Sequence, residues 1–310
     1  MENADYVDLA TEETNPRSRG LDQMSTEEIL RVMNEEDRRV PAVVAEAIPD
    51  VARAVDMIAA RMAAGGKLVY VGAGTSGRLG ILDAVECVPT FGVSADQVCA
   101  VIAGGPTAVF RSVEAAEDDE PSGAQDVAAI VTERDVVVGI SASGVTPYVK
   151  GALKSARNMG AATVAIVCNH ATVLDLDVDV LISLAVGPEV LTGSTRLKAG
   201  TAQKLVLNMI STATMVRLGR VYDNFMVDMK ATNRKLRSRA VRMISAATGL
   251  SGEESVRLLD EAGGNIKTAI VMALASVGRA EAERALESAH GHAREAVRLA
   301  GLHETNISGG

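Results

Sequence analysis

At 310 residues, with 47% apolar but only 2% aromatic side chains and no Trp, the chain is long enough to bury one sizeable α/β core plus an appendage, packed from Ala, Val, Leu, Ile and 12 Met. The formal charge of −9, with no basic face or RNA-binding aromatic motif to offset it, argues against nucleic acid, and charges interrupt every apolar run before membrane-spanning length. Cys87, Cys99 and Cys168 lack paired or metal-ligand spacing and the four His form no H-E-x-x-H cluster, which implies reduced, mostly buried thiols in a cytoplasmic protein without a metal.

Residues 1–24 are polar, begin with an acidic stretch unlike a signal peptide, and read as an arm lying over something else. Ser25 starts a helix to about Glu36, because S-T-E-E places a capping hydroxyl three residues before Glu28. A second helix spans about Pro41 to Ala64, with Val44, Ile48, Val51, Val55 and Ile58 at three- and four-residue steps, and Gly65-Gly66 ends it. Five nearly all-apolar stretches then alternate with helical ones: Leu68–Val71, Val98–Ala103, Val136–Ser141, Thr163–Cys168 and Val180–Val186. That pattern predicts a doubly wound, five-stranded parallel sheet covered on both faces, an α/β fold. Long helices follow at about Thr195–Leu218 and Asn224–Ala247, and the caps at Ser251 and Gly263-Gly264 mark shorter ones. The domain reading is an arm (1–24), a sheet domain with flanking helices (25–245), a small C-terminal helical domain (246–300) and a flexible tail (301–310).

Two strand ends carry chemistry. After the first strand, Gly72, Gly74, Gly77 and Gly80 alternate with Thr75 and Ser76 before a helical stretch, so backbone amides, hydroxyls and a helix N-terminus can point at an anion. The pattern matches G-x-G-x-x-G, but no ribose-binding acid follows some twenty residues on, and no G-K-[ST] follows either. The third strand ends in SASGVTP, and ligands of doubly wound sheets bind outside the strands' carboxyl ends. Thr75 and Ser76 can therefore meet Ser141, Ser143 and Thr146 over one phosphate, although a ligand-free turn and ordinary helix caps also fit these residues.

GAGTSGR followed by SASGVTP resembles the sugar isomerase (SIS) domain. With TEETNP, NEEDRRVP, IAGG, VEAAED, GPEVLTGSTRLKAGTAQKLVLNMIST and NFMVDMKATNRKL, nearly the whole chain resembles the family of N-acetylmuramic acid 6-phosphate etherases. The resemblance implies a phosphosugar substrate, cleavage of its D-lactyl ether by elimination and hydration that requires no metal or redox cofactor, amino-sugar recycling from the cell wall, and a homodimer with composite sites. It also implies Glu86 as the proton donor and Glu117 as a second catalytic carboxylate, for which the base at C2 is a suitable role. Glu86, between Val85 and Cys87 late in its helix, is expected in apolar surroundings that raise its pKa, although a solvated helix-end glutamate also fits. On a helical wheel Glu117 falls between Phe110 and Val113, on the apolar side, while the cluster EAAEDDE could equally be a solvated helix end; residue 115 is Ala where relatives carry Gly.

Glu189 matches an acid/base position of related aminosugar isomerases and is a possible auxiliary acid/base, or else it pairs with Arg196 or Lys198. Arg234, Lys235, Arg237 and Arg239 could hold the lactyl carboxylate, cross a subunit interface, or form a solvated face. The C-terminal helices resemble a ubiquitin-associated-like unit, read here as a packing module. Two other classes share parts of this pattern. A non-catalytic phosphosugar-sensing regulator, of the glucokinase-regulating kind, has no need of both glutamates; an aldose–ketose isomerase needs a base at C2 but no acid at C3.

Overall fold

The computed structural model describes residues 9–170, 177–229, 231 and 233–307, the last five by backbone alone. Positions 1–8 of the expected arm and 308–310 of the expected tail lie outside the described residues. Five strands, β1 (Leu68–Gly72), β2 (Val98–Ile102), β3 (Val136–Ser141), β4 (Ala162–Val167) and β5 (Val180–Ser183), form one parallel sheet in the order β2-β1-β3-β4-β5. β1, β3 and β4 are buried along their whole length, as strands covered on both faces must be.

The helices in chain order are α1 (Thr26–Asp37), α2 (Val40–Glu46), α3 (Ile48–Ala63), α4 (Gly74–Phe91), α5 (Thr107–Phe110), α6 (Glu120–Ala128), α7 (Pro147–Asn158), α8 (Lys198–Arg217), α9 (Arg234–Thr248), α10 (Gly252–Glu261), α11 (Ile266–Ala275), α12 (Arg279–Ser288) and α13 (Ala293–Ile307). Ser25 caps α1 and Ser251 caps α10 through reciprocal capping boxes with Glu28 and Glu254. The single helix expected over 41–64 is two: Pro49, which has no N–H to donate, sits in the first turn of α3 and the chain turns at Ala47. The helix expected from Asn224 starts only at Arg234, where the Asn233 side chain accepts from the Leu236 N–H; before it, Tyr222 and Phe225 pair across a tight turn with Asp223 at φ +53°. α13 continues through Gly301 to Ile307, where the sequence places a loose tail; one interior glycine costs about 1 kcal/mol, too little to stop a helix by itself.

Two compact units emerge. The first holds the sheet, through Val85 and again from Ala95 to Thr212; the second comprises Glu86–Ser94 and the chain from Ala213 on. The second has a core of its own around Val227, Ile244, Leu259, Ile266 and Ile270, which residues 213–245 share. Within the first unit the chain runs from β1 outward to β2 and returns past β1 to β3. That reversal is the switch point, and it opens a crevice above the carboxyl ends of β1 and β3.

A buried carboxylate ties α4 and α8 to the sheet. Asp83 accepts from Tyr70 Oη (2.9 Å), Asn208 Nδ2 (2.8 Å) and Ser211 Oγ (3.1 Å). Its burial raises the carboxyl above the usual range, and the three donors oppose that shift. Asp83→Ala strands those donors, so urea titration should show a loss of about 2 kcal/mol and Tyr70→Phe a loss of about 1 kcal/mol; no loss in either would mean the network carries no stability.

Candidate active site

The loop after β1 depends on a close backbone approach. A Cβ at Gly72 would stand 2.6 Å from the Gly77 nitrogen, and one at Gly77 would stand 2.7 Å from the Gly72 oxygen. Only glycines let the strand end press against the first turn of α4, and Gly74 turns the chain into that helix at φ +52°. After β3, Ser141 Oγ lies 2.7 Å from Thr146 Oγ1 and 3.4 Å from Ser143 Oγ and accepts the Gly144 N–H at 2.9 Å, while Thr146 precedes Pro147 at the head of α7. All five hydroxyl residues named from the sequence, Thr75, Ser76, Ser141, Ser143 and Thr146, line one cavity of about 250 Å³. Its wall holds the first turns of two helices, where amide groups and helix dipoles favour an anion. Ser76 Oγ is held by Gln203 Oε1 at 3.0 Å, which fixes that hydroxyl from behind.

Sequence reading missed two residues here. Glu12 of the N-terminal arm lines the cavity, and fully buried Asn169, just beyond β4, explains how it gets there. Asn169 donates to Ala142 O (3.2 Å), Ser143 O (3.0 Å) and Thr11 Oγ1 (3.3 Å), and its own oxygen accepts the Thr11 N–H at 3.3 Å. One amide thus joins the arm to the hydroxyl loop. Its position at the carboxyl end of a strand was the available signal. Asn15 anchors the arm a second time, donating to Glu36 and to Pro188 O.

Glu117 lines the same cavity, but not from the helix expected. α5 stops at Phe110, which is 88% exposed, and Glu117 sits in a single 3-10 turn, Ala116–Asp118. The helical wheel fails because Ala115 enters that turn at φ +58°. Left-handed backbone costs a residue with a Cβ roughly 1–2 kcal/mol, and glycine avoids that cost. Glu117 also borders a second cavity of about 300 Å³, which shares Ala73 and Gly74 with the first and includes Arg78.

Glu86 differs from expectation. It is exposed on α4, in the second unit, and Val85 beside it is 60% exposed. Ala84, Cys87 and Phe91 form the buried stripe of α4, so Leu82, Val85 and Glu86 fall on its opposite face, and the apolar enclosure expected from sequence is not formed by this chain's own packing. Glu189 is completely buried and accepts the backbone N–H groups of Lys198 (3.0 Å) and Ala199 (2.9 Å), the first amides of α8. Burial raises its carboxyl, and those two bonds oppose the shift. It pairs with the Lys198 backbone rather than with that residue's ammonium, which goes to Glu36 at 2.5 Å. The Arg234–Arg239 cluster stands on α9 in the second unit with Arg234, Lys235 and Arg237 exposed, and Arg237 pairs with Asp260.

Burial pushes the Glu36 carboxyl up, but hydrogen bonds from Lys198 and Asn15 and the charges of Lys198 and Arg39 outweigh it, so the group titrates below its ordinary 4.5. The linked stability is fully present above the unfolded value and lost as pH falls through the folded one. Glu36→Gln leaves the Lys198 ammonium buried without its counter-charge and should cost about 3–5 kcal/mol near neutral pH, with a flatter acid limb in a melting-versus-pH series; an unchanged acid limb would contradict this assignment.

A five-stranded parallel sheet with hydroxyl-rich loops after the two strands at its switch point is the architecture of the SIS domain. The SIS domain family model matches residues 112–213, and that of the glucokinase regulatory protein N-terminal SIS domain matches residues 50–157. The chain is 52% identical to the N-acetylmuramic acid 6-phosphate etherase of Caldanaerobacter subterraneus over 95% of this chain and 97% of that one. It is 54% identical to the etherase of an Exiguobacterium species over 93% and 99%. It therefore belongs to the N-acetylmuramic acid 6-phosphate etherase family. A phosphoheptose isomerase structure from Francisella tularensis aligns over 62% of this chain and 100% of its own, at 17% identity and a TM-score of 0.49.

Proposed function

We infer that the protein carries out the reaction its family is named for. It removes the lactyl group of N-acetylmuramic acid 6-phosphate to leave N-acetylglucosamine 6-phosphate and D-lactate, in cell-wall amino-sugar recycling. One observation carries the reading: the hydroxyl cradle and a carboxylate, Glu117, line a single cavity in a chain of this family. The 6-phosphate sits on Thr75, Ser76, Ser141, Ser143 and Thr146. In the open-chain sugar the C2 hydrogen is α to the aldehyde, and Glu117 takes it as a proton. The C3–O bond then breaks, lactate leaves with a proton from Glu86, and water adds across C2–C3 of the unsaturated aldehyde. Two carboxyl groups in opposite protonation states serve both halves of this sequence.

Glu86 acquires its setting, in this reading, from a second copy of the chain. Leu82 and Val85 stand 51% and 60% exposed on the face of α4 that carries Glu86, apolar surface that a homodimer would cover. The second copy would exclude water around Glu86, as a proton donor requires. No helix among the described residues is long and apolar enough to cross a membrane. Burial of Cys87 and Cys168 fits a reducing compartment, and on that ground we place the enzyme in the cytoplasm.

Two measurements test these assignments. In deuterated water, Glu86→Gln should exchange the C2 hydrogen while lactate release falls at least about 100-fold, and Glu117→Gln should lose both; exchange lost in Glu86→Gln and kept in Glu117→Gln would reverse the roles. Val85→Lys should yield a folded monomer by light scattering with lactate release abolished; a fully active monomer would refute the composite arrangement.

A further inference from the structure

One end of the substrate still lacks a partner in the site. N-acetylmuramic acid 6-phosphate carries two anions, the phosphate on C6 and the lactyl carboxylate on C3, and the hydroxyl cradle accounts for the first alone. Among the described residues lining the phosphate cavity there is no cation; Glu12, Glu117 and Asp118 make its charged wall negative. The second cavity, reached across Ala73, Gly74 and Glu117, has one cation among its described lining residues, Arg78.

Arg78 is built as a preset fork. It lies one turn beyond Gly74 on α4, half-buried, and its Nε donates to Ala108 O at 3.1 Å and Val109 O at 3.0 Å in α5. That anchor fixes the guanidinium from one edge, and among the described residues no carboxylate pairs with it. A guanidinium held in this way meets a carboxylate with parallel hydrogen bonds and little further ordering. Glu114 and Glu117 border the same cavity, so among its described lining side chains Arg78 is the one whose charge attracts an anion. The arrangement also has the order the chemistry needs. Glu117 stands at the junction of the two cavities, where a sugar with its phosphate in the first and its C3 substituent in the second would present C2.

We propose that Arg78 binds the carboxylate of the lactyl group, making the second cavity the subsite that distinguishes a 3-O-lactyl sugar phosphate from one with a free 3-hydroxyl. This assignment rests on the etherase reading, and the test separates the two. Binding of N-acetylmuramic acid 6-phosphate and of N-acetylglucosamine 6-phosphate is measured by calorimetry on Glu117→Gln protein with Arg78, Arg78→Lys or Arg78→Met. Arg78→Met should weaken the lactyl sugar on the order of 10- to 100-fold while the lactyl-free sugar, which uses only the cradle, changes less than about twofold; Arg78→Lys, keeping charge but losing the fork, should fall between. Equal weakening of both sugars would make Arg78 a strut for α5, and no change in either would place the carboxylate elsewhere; both overturn the proposal. Lactate release by the unmodified enzyme is scored separately. If it is absent the etherase reading fails, while the ratio of the two affinities still reports on Arg78.

Discussion

The close approach of Gly72 to Gly77 is the constraint on which the site depends. At the switch point the end of β1 must pass directly into α4 without lifting the helix off the sheet, and a Cβ at either glycine would collide with the other's backbone. Because the contact holds, the first amides of α4 stand over the crevice beside the hydroxyl loop that follows β3. Asp83, Tyr70, Asn208 and Ser211 then hold α4 against β1 and α8, so the helix that presents Thr75, Ser76 and Arg78 is braced from the protein's interior.

Carboxylates divide by burial into two jobs. Glu36, Asp83 and Glu189 are nearly or wholly inaccessible, their donors come from the protein itself, and their titration is displaced by those surroundings. They join segments: Glu189 caps α8, while Glu36 gathers Lys198, Asn15 and Arg17 and so fixes the arm that carries Glu12 to the cavity. Glu86 and Glu117 are exposed, with room for a substrate or a second subunit. For Glu36, Asp83 and Glu189 a displaced titration therefore goes with a structural role, set by burial and by the donors packed around each carboxylate.

Much of the fold was legible in the sequence, because parallel strands buried on both faces are near-continuous apolar runs and each strand candidate became a strand. The two hydroxyl loops were legible for the same reason, since strand ends in a doubly wound sheet converge on one crevice. The failures share a cause, which is that local periodicity says nothing about what a segment packs against. Pro49 split a helix whose apolar spacing ran on unbroken, and Ala115 in left-handed backbone took Glu117 off its helical wheel. Glu86 was placed by neighbours in sequence, whereas its neighbours in space depend on which stripe of α4 faces inward. Asn169 and Arg78 act across gaps in sequence of 158 and 31 residues, which no local pattern reveals.

The central claim, that this cradle and its glutamates cleave a sugar ether by elimination and hydration, is tested most directly with N-acetylmuramic acid 6-phosphate in ¹⁸O-labelled water. Elimination followed by hydration gives unlabelled D-lactate and one ¹⁸O at C3 of N-acetylglucosamine 6-phosphate. Label in the lactate would mean that the bond on the lactyl side is the one cut, and no lactate at all would mean that the protein binds this sugar without transforming it.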